Sequence, residues 1–284
     1  MKSTLPLDSV RIVSLAPNLP GPACVRRLAD WGARVIKVEP PEGDPLRVYA
    51  RDYYRELHEG MDVRTLDLKS DKGQRELSGL LDTATLFVTA QRPAALKRLG
   101  LDAANIRRLW PHLSHLAIVG LAPPDEDVAG HDLTYLAGAG LLDPPRLPPT
   151  LMADLLGAER AVSETLLLLR RADASGRGEY SQVALADAAT ALAAPWRHGL
   201  TRPTGLLGGA HAGYGCYRTA DGWLALAALE PRFLARLVEA LDIAEPDRDS
   251  LAAAFAAHPD AHWRAFALRH DLPLTVLPAR AGRA

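Results

Sequence analysis

Cysteine is scarce in this sequence. Cys24 and Cys216 are the two cysteines among 284 residues. Two thiols are too few for a disulfide framework, and their neighbours do not have the spacing of metal ligands. This cysteine usage is typical of a reducing compartment, so we expect a cytoplasmic protein.

An excess of one charge and long apolar runs are also missing. Lys and Arg number 33 against 34 Asp and Glu, which gives a formal net charge of −1. We therefore expect no general attraction to nucleic acid or to an anionic membrane. No window reaches about eighteen uncharged apolar residues, and Lys2, Asp8 and Arg11 interrupt the first twenty residues. The sequence predicts neither a signal peptide nor a membrane span.

The first two thirds of the chain alternate strand-like and helix-like segments. Short apolar runs predict strands over residues 10–15, 34–39, 66–68, 86–89, 113–119 and 180–184. Apolar residues at helical spacing predict helices over residues 23–31, 71–81, 94–99, 105–110 and 155–171, and a last one before Pro195. This alternation predicts an α/β fold, a doubly wound, Rossmann-like parallel sheet.

The ends of the predicted strands should form the binding edge of that sheet. Polar and turn residues follow the strands at Asn18, Pro40, Lys69, Arg92 and Gly120. In a doubly wound sheet the ligand lies beyond the carboxyl ends of the strands. We therefore expect the large domain, residues 1–195, to bind its ligand at this edge.

The remaining third predicts a separate, smaller domain. Residues 196–213 are rich in glycine without apolar periodicity, so we interpret them as a linker. A hairpin over residues 214–228 with a turn at 220–222 follows, and then amphipathic helices over 231–241, 251–257 and 262–269. We expect an α+β domain over residues 214–284.

Two proton-exchanging groups, His131 and Asp154, flank a proline-rich stretch between the two. Asp154 precedes the helix predicted over 155–171, so its carboxylate would lie among free backbone N–H groups, which could instead hold an oxyanion. The chemistry suits a proton-transfer site. On the local pattern alone, a plain helix cap at Asp154 and an ordinary loop histidine at His131 are the favoured interpretations.

Several sequence blocks resemble one family of enzymes. They are GPACVRRLADWGARVIKVEPPEGDPLR, TLDLKSDKG, RPAALKRLGL, GHDLTYLAGAGLL, GRGEYSQVALADAA, GCYRTADGWLALAALEPRF and PDAHWRAF. In this order, over residues 10–278, they are similar to the family III CoA-transferase (CaiB/BaiF) fold. Within that fold they look most like the α-methylacyl-CoA racemase branch.

The resemblance implies a reaction and its residues. His131 and Asp154 would exchange the proton on the carbon next to a thioester carbonyl, with Glu230 assisting. The family's substrate and CoA contacts correspond to Asn18, Lys69, Arg92, Arg98, Asp132, Tyr135 and Gly157. No metal or redox cofactor is implied, since coenzyme A enters as part of the acyl-CoA substrate. The implied assembly is a homodimer of interlocked subunits.

Two other functions stay open. In a CoA-transferase, Asp154 would attack the acyl-CoA as a nucleophile and form a mixed anhydride. A non-catalytic or repurposed subunit is the second alternative, because Glu59 and Asp62 stand where the family has basic residues and should repel CoA phosphates. The chain also ends at Ala284, where family members continue, so we expect a weaker interlock between subunits.

Overall fold

Six parallel strands form the main sheet, as the sequence pattern predicts. In the computed structural model, which describes residues 5–278, they are β1 (Arg11–Ser14), β2 (Arg34–Glu39), β3 (Asp62–Thr65), β4 (Leu86–Thr89), β5 (Ser114–Val119) and β6 (Tyr180–Ala184). The spatial order is β3-β2-β1-β4-β5-β6, and each neighbouring pair is parallel. The predicted α/β, doubly wound fold is confirmed.

Helices connect these strands. They are α1 (Pro20–Asp30), α2 (Leu46–Tyr49), α3 (Arg51–Leu57), α4 (Asp71–Leu81), α5 (Pro93–Arg98), α6 (Ala103–Leu109), α7 (Asp132–Gly138), α8 (Met152–Ser175) and α9 (Leu185–Leu192). The short helices α2, α3 and α7 were not predicted. None of them is long enough to show a clear apolar period in the sequence.

The strand order reverses between β1 and β4. Ile12 of β1 is level with Val35 of β2 on one side and with Leu86 of β4 on the other. The chain leaves β1 and β4 toward opposite sides of the sheet, which opens a crevice beyond their carboxyl ends. This switch point is where the fold itself favours a ligand.

Alternate side chains of the strands fill two cores. Ile12, Leu86 and Leu116 pack with α1, α8 and α9 on one face of the sheet. Val13 and Phe87, one residue further along their strands, pack with α4, α5 and α6 on the other face. Because both faces are covered, the central strands read as continuous apolar runs in the sequence.

One strand lies earlier in the chain than predicted. The sequence predicts a strand at residues 66–68, but β3 spans Asp62–Thr65 and pairs with β2 from Ile36 to Glu39. All four residues of β3 are exposed at the edge of the sheet. An exposed edge strand has no apolar pattern, so the neighbouring leucines gave the wrong position.

The chain divides into two compact units, Met1–Ala193 and Ala194–Ala284. The second contains β7 (Tyr214–Arg218), β8 (Trp223–Ala227) and β9 (Leu274–Val276) in one antiparallel sheet, with helices α10 (Ala194–Arg197), α11 (Pro231–Leu241), α12 (Arg248–Ala256) and α13 (Asp260–His270). This is the predicted α+β arrangement. The segment interpreted as a linker contains a π-helical turn, Leu206–Ala210.

Among residues 5–278, no helix is both long enough and apolar enough to cross a membrane.

The long helix α8 offers a matched test of the core. Leu168 is fully buried, whereas the adjacent Leu167 is 49% exposed. We expect Leu168→Ala to lower the free energy of unfolding by about 2–5 kcal/mol, because it leaves a cavity in a packed interior. Leu167→Ala should cost less than about 1 kcal/mol. Urea denaturation measures both values, and equal losses would contradict the packing described for α8.

Candidate active site

His131 lies at the start of helix α7. The histidine is the exposed N-cap residue of α7. Its backbone N–H donates to the Thr134 hydroxyl at 3.0 Å, and that hydroxyl donates to the His131 carbonyl at 2.8 Å. These two bonds fix the backbone at the cap while the imidazole stays accessible to solvent.

Asp132 joins the starts of two helices. Its side chain is buried, and Oδ1 accepts the N–H groups of Ala153 at 2.7 Å and Asp154 at 3.0 Å. Both N–H groups belong to the first turn of α8, where no carbonyl within the helix can accept them. Asp132 therefore caps α8 from the neighbouring helix α7.

The prediction that Asp154 caps its own helix was wrong. The helix begins at Met152 with Leu151 as N-cap, so Asp154 is the third residue of the first turn. The capping function belongs to Asp132, which is 22 residues away in the chain. The Asp154 carboxyl is consequently free of a capping role.

The Asp154 carboxyl titrates near neutral pH. Burial and, to a smaller extent, the adjacent negative charge of Asp132 together raise its pKa from 3.8 to about 7. Both causes disfavour the ionised form. A carboxyl group with this pKa can take or give a proton at neutral pH.

The ring of Tyr135 packs between two glycines. A Cβ atom at Gly120 would lie 2.3 Å from the Tyr135 hydroxyl, and one at Gly130 would lie within 2.4 Å of the ring edge. Burial raises the pKa of this phenol, with a further increase from Asp154 and an opposing effect of the Arg92 guanidinium. Tyr135, Asp154 and Arg92 therefore share one electrostatic neighbourhood.

The predicted oxyanion donors at the start of α8 are occupied. The N–H groups of Ala153 and Asp154 bind Asp132, and that of Leu155 donates to the Leu151 carbonyl at 3.1 Å. The position expected to contact substrate, Gly157, faces another helix instead. A Cβ atom there would lie 2.2 Å from the Leu185 side chain of α9, so close helix packing requires the glycine.

Asn18 lies in the turn between β1 and α1, at the switch point. Its φ of 63° is left-handed, and its N–H donates to Asp44 Oδ1 at 3.0 Å. The Tyr49 hydroxyl donates to Asn18 Oδ1 at 2.6 Å. Burial raises the pKa of Tyr49, and the charges of Asp44 and Asp154 add to this effect, so the turn lies near the Asp154 carboxyl.

The predicted cationic contacts are exposed, but they are spread over two places. Arg92 is the N-cap of α5 directly after β4, as expected for a residue at a strand end. Arg98 is the last residue of α5, about 9 Å further along the helix axis. Lys69 follows β3 in an Asx turn, with its N–H donating to Asp67 Oδ1 at 3.0 Å.

A groove lies beside Lys69 and Arg98. Its volume is about 240 Å³. Its lining includes Leu68, which precedes Lys69, and Leu99, which follows Arg98. Gln74 of α4, Asn105 of α6 and Trp110 at the end of α6 also line it. The groove brings the β3–α4 turn and the end of α5 to one surface of mixed polar and apolar character.

The acidic residues Glu59 and Asp62 lie at the amino end of β3, whereas the candidate site lies at the carboxyl ends of the strands. Asp62 is the first residue of β3, whereas Lys69 follows its last residue. Four residues of strand span about 13 Å. Asp62 is also paired with Arg64 at 2.7 Å. The structure therefore does not support the expected repulsion of CoA phosphates by Glu59 and Asp62, because ligands of a parallel sheet bind beyond the carboxyl ends of the strands.

Glu230 lies in the second unit. It is the exposed N-cap of α11, and Pro231 is the first residue of that helix.

Sequence reasoning missed three polar residues near the site: Lys37, Asp44 and Tyr49. Lys37 is inside a buried parallel strand and is 1% exposed. A charged residue in such a strand is rarely fully buried without a partner, so this position could have been recognised from the sequence. Tyr49 carried no comparable signal, because α2 is four residues long.

Comparison with known proteins assigns this fold to a family. Residues 7–276 match the family model described as CoA-transferase family III. Succinate–glutarate CoA-transferase from Agrobacterium fabrum is 30% identical over 285 residues, covering 89% of this chain and 71% of the relative. Alpha-methylacyl-CoA racemase from Homo sapiens is 28% identical over 255 residues, covering 84% of this chain and 65% of the relative. The chain spans about two thirds of the length of these relatives.

A solved structure supports the fold. The CAIB/BAIF family protein from Brucella suis superposes with a TM-score of 0.83 at 23% identity, covering 98% of this chain and 85% of the other. Transferases and racemases match at similar identity, so overall similarity does not choose between the two reactions.

The pKa of Asp154 can be tested by removing one of its causes. Asp132→Asn keeps an oxygen that can accept the two N–H groups but removes the negative charge. Because that charge raises the pKa of Asp154, we expect the variant to titrate below pH 7. Carbon-13 NMR of the labelled carboxyl measures this directly. The control is Asp102→Asn, which removes a charge at the start of α6, and a pKa unchanged in Asp132→Asn would contradict the assignment.

Proposed function

Since the chain belongs to CoA-transferase family III, we propose that it is an acyl-CoA racemase acting at the α-carbon of a 2-methyl-branched thioester. The reaction is inversion by transfer of one proton away from the carbon and another back to it. The observation that carries this proposal is the pKa of about 7 at Asp154, beside the helix start that presents His131.

His131 and Asp154 would act from opposite faces of the α-carbon. The imidazole of His131 takes the α-proton from one face. The Asp154 carboxyl, protonated in part near pH 7, returns a proton to the other face. In the reverse direction the two groups exchange these tasks.

Asp132 supports this pair through its hydrogen bonds to the start of α8. They hold the first turn of α8 against α7, and the negative charge keeps the pKa of Asp154 high. The carboxyl thus stays protonated in part near neutral pH. A two-base inversion requires a base on one face of the carbon and a proton donor on the other.

Coenzyme A would enter from the carboxyl edge of the sheet. Arg92 lies after β4 and close enough to Tyr135 to affect its pKa. Lys69 and Arg98 are chain neighbours of Leu68 and Leu99 in the groove beside α4, and two cations beside a partly polar groove suit the nucleotide end of coenzyme A. We also propose a homodimer, and we propose that Glu230 assists the proton transfer, as the family resemblance implies.

A CoA-transferase is the second candidate function. The Agrobacterium fabrum relative, named a succinate–glutarate CoA-transferase, is as similar to this chain as the racemases are. In that reaction the Asp154 carboxylate attacks the thioester carbonyl, which forms a mixed anhydride and releases the CoA thiolate. The thiolate then attacks the Asp154 carbonyl and frees the donor acid, and the same steps in reverse pass CoA to the acceptor acid and regenerate the Asp154 carboxylate. A non-catalytic subunit is less well supported, because Glu59 and Asp62 lie at the far edge of the sheet from the site.

One labelling experiment separates these functions. The protein is incubated with a 2-methylacyl-CoA in deuterium oxide, with and without an added carboxylic acid. In each sample, mass spectrometry measures deuterium at the α-carbon and the acid to which CoA is esterified. We expect deuterium at the α-carbon without any acceptor acid, because solvent protons reach His131 and Asp154 between turnovers.

The sample with added acid can show a result that contradicts the racemase proposal. Movement of CoA to that acid, with an unlabelled α-carbon, would replace the racemase by a transferase. A thioester left whole and unlabelled in both samples would contradict both reactions.

A further inference from the structure

A buried ion pair lies behind the turn that carries Asn18. Lys37 on β2 is 1% exposed and Asp44 is 2% exposed, and Lys37 Nζ lies 2.8 Å from Asp44 Oδ2. Glu39, Tyr54 and His58 surround this pair and are also buried. The proposed reaction uses none of these groups.

Asp44 holds the turn by its backbone. Its Oδ1 accepts the N–H groups of Asn18 and Leu46, each at 3.0 Å, and its Oδ2 lies 3.2 Å from the same Asn18 nitrogen. The carboxylate therefore joins the turn after β1 to the start of α2. Few other acceptors could bind an N–H group in this buried position and also neutralise a lysine.

Lys37 fixes the same turn two residues earlier. Its ammonium group donates to the Ala16 carbonyl at 2.5 Å as well as to Asp44. A third bond holds the turn from the other side of the switch point, where Gln91 Nε2 donates to the Leu15 carbonyl at 2.7 Å. The side chains of β2, of the loop after it and of the loop after β4 thus hold three successive parts of the turn.

The turn needs this support because of its conformation. Asn18 has a left-handed φ of 63°, which is unfavourable for residues other than glycine and tolerated best by asparagine and aspartate. Such a conformation persists where the surroundings hold it in place. Asn18 Oδ1 in turn accepts the Tyr49 hydroxyl, so the position of both side chains depends on the turn.

The cluster could also be interpreted as a cation site. Potential ligand atoms of Glu39, Asp44 and His58 lie within 4.8 Å of one another. However, the Asp44 oxygens already accept four contacts from three donors, and the Lys37 ammonium provides the positive charge. A scaffold for the turn accounts for these contacts better than a bound metal does.

We propose that the Lys37–Asp44 pair is a positioning element that holds the β1–α1 turn in the conformation in which Asn18 contacts the coenzyme A part of the substrate. This inference rests on the proposed acyl-CoA function. Burial lowers the pKa of Lys37, and Asp44 opposes that change, so the lysine depends on Asp44 for its charge.

The test compares coenzyme A affinity in matched variants by titration calorimetry. Asp44→Asn leaves one acceptor oxygen but adds an N–H₂ group facing the Lys37 ammonium, so we expect affinity to fall by about tenfold or more. Leu168→Ala controls for general loss of stability and should change affinity less than about twofold. The double variant Lys37→Met with Asp44→Leu removes both charges without stranding either one, and it should also weaken binding.

A double-mutant cycle between Asn18 and Asp44 shows whether Asp44 acts through Asn18. Asn18→Gly keeps the left-handed backbone accessible and removes the side chain. In that background we expect Asp44→Asn to add less than about twofold, because residues that act through one another are not additive. Fully additive losses would contradict the positioning role, since a structural effect alone would act in both backgrounds.

The remaining outcomes separate this inference from the proposed reaction. Unchanged coenzyme A affinity in both Asp44 variants would overturn the positioning role and leave the racemase proposal intact. A wild-type protein that binds coenzyme A without labelling the α-carbon would remove the reaction, while weaker binding in Asp44→Asn would still support the positioning role. A wild-type protein that does not bind coenzyme A would overturn both.

Discussion

The hydrogen bonds from Ala153 and Asp154 to Asp132 are the contacts on which the candidate site depends most. They fasten the first turn of α8 to the start of α7, so His131 and Asp154 come from two helix starts that one carboxylate joins. A carboxylate at a helix start is favourable because it satisfies free N–H groups and meets the positive end of the helix. The same charge, placed beside Asp154, raises the pKa of the second carboxyl. One side chain therefore provides both geometry and protonation state.

Two of the predicted coenzyme A contacts, Asn18 and Arg92, follow neighbouring strands of the sheet. The reversal of strand order between β1 and β4 opens the crevice, and the turns after these strands carry Asn18 and Arg92. Buried charges behind the first turn, Lys37 and Asp44, keep its left-handed conformation. Buried charged groups usually cost stability, so their presence in β2 and the loop after it is better explained by the turn that they hold.

Much of the fold could be predicted from local patterns. The strand over residues 34–39 and the helix over residues 71–81 coincide with β2 and α4, because each has an apolar pattern with clear stops at both ends. The edge strand β3 could not be found in this way, since its four residues are exposed. The family assignment also followed from the order of the motifs.

The site was less predictable than the fold. His131 and Asp154 were identified as residues, but the cap of α8 was assigned to the wrong aspartate, because the capping side chain comes from another helix. Gly157 resembled a substrate contact, yet its role is to admit Leu185. Contacts between residues distant in the chain decide both cases, and local spacing does not contain that information.

The proposed reaction requires His131 and Asp154 to be two opposed bases at one carbon. The most direct measurement starts from a single enantiomer of a 2-methylacyl-CoA and follows its conversion to the other by chiral chromatography, in His131→Ala and in Asp154→Asn. We expect both variants to lose inversion by about 100-fold or more, while each still exchanges the α-proton that faces its remaining base. Inversion at the wild-type rate in either variant would contradict this two-base arrangement.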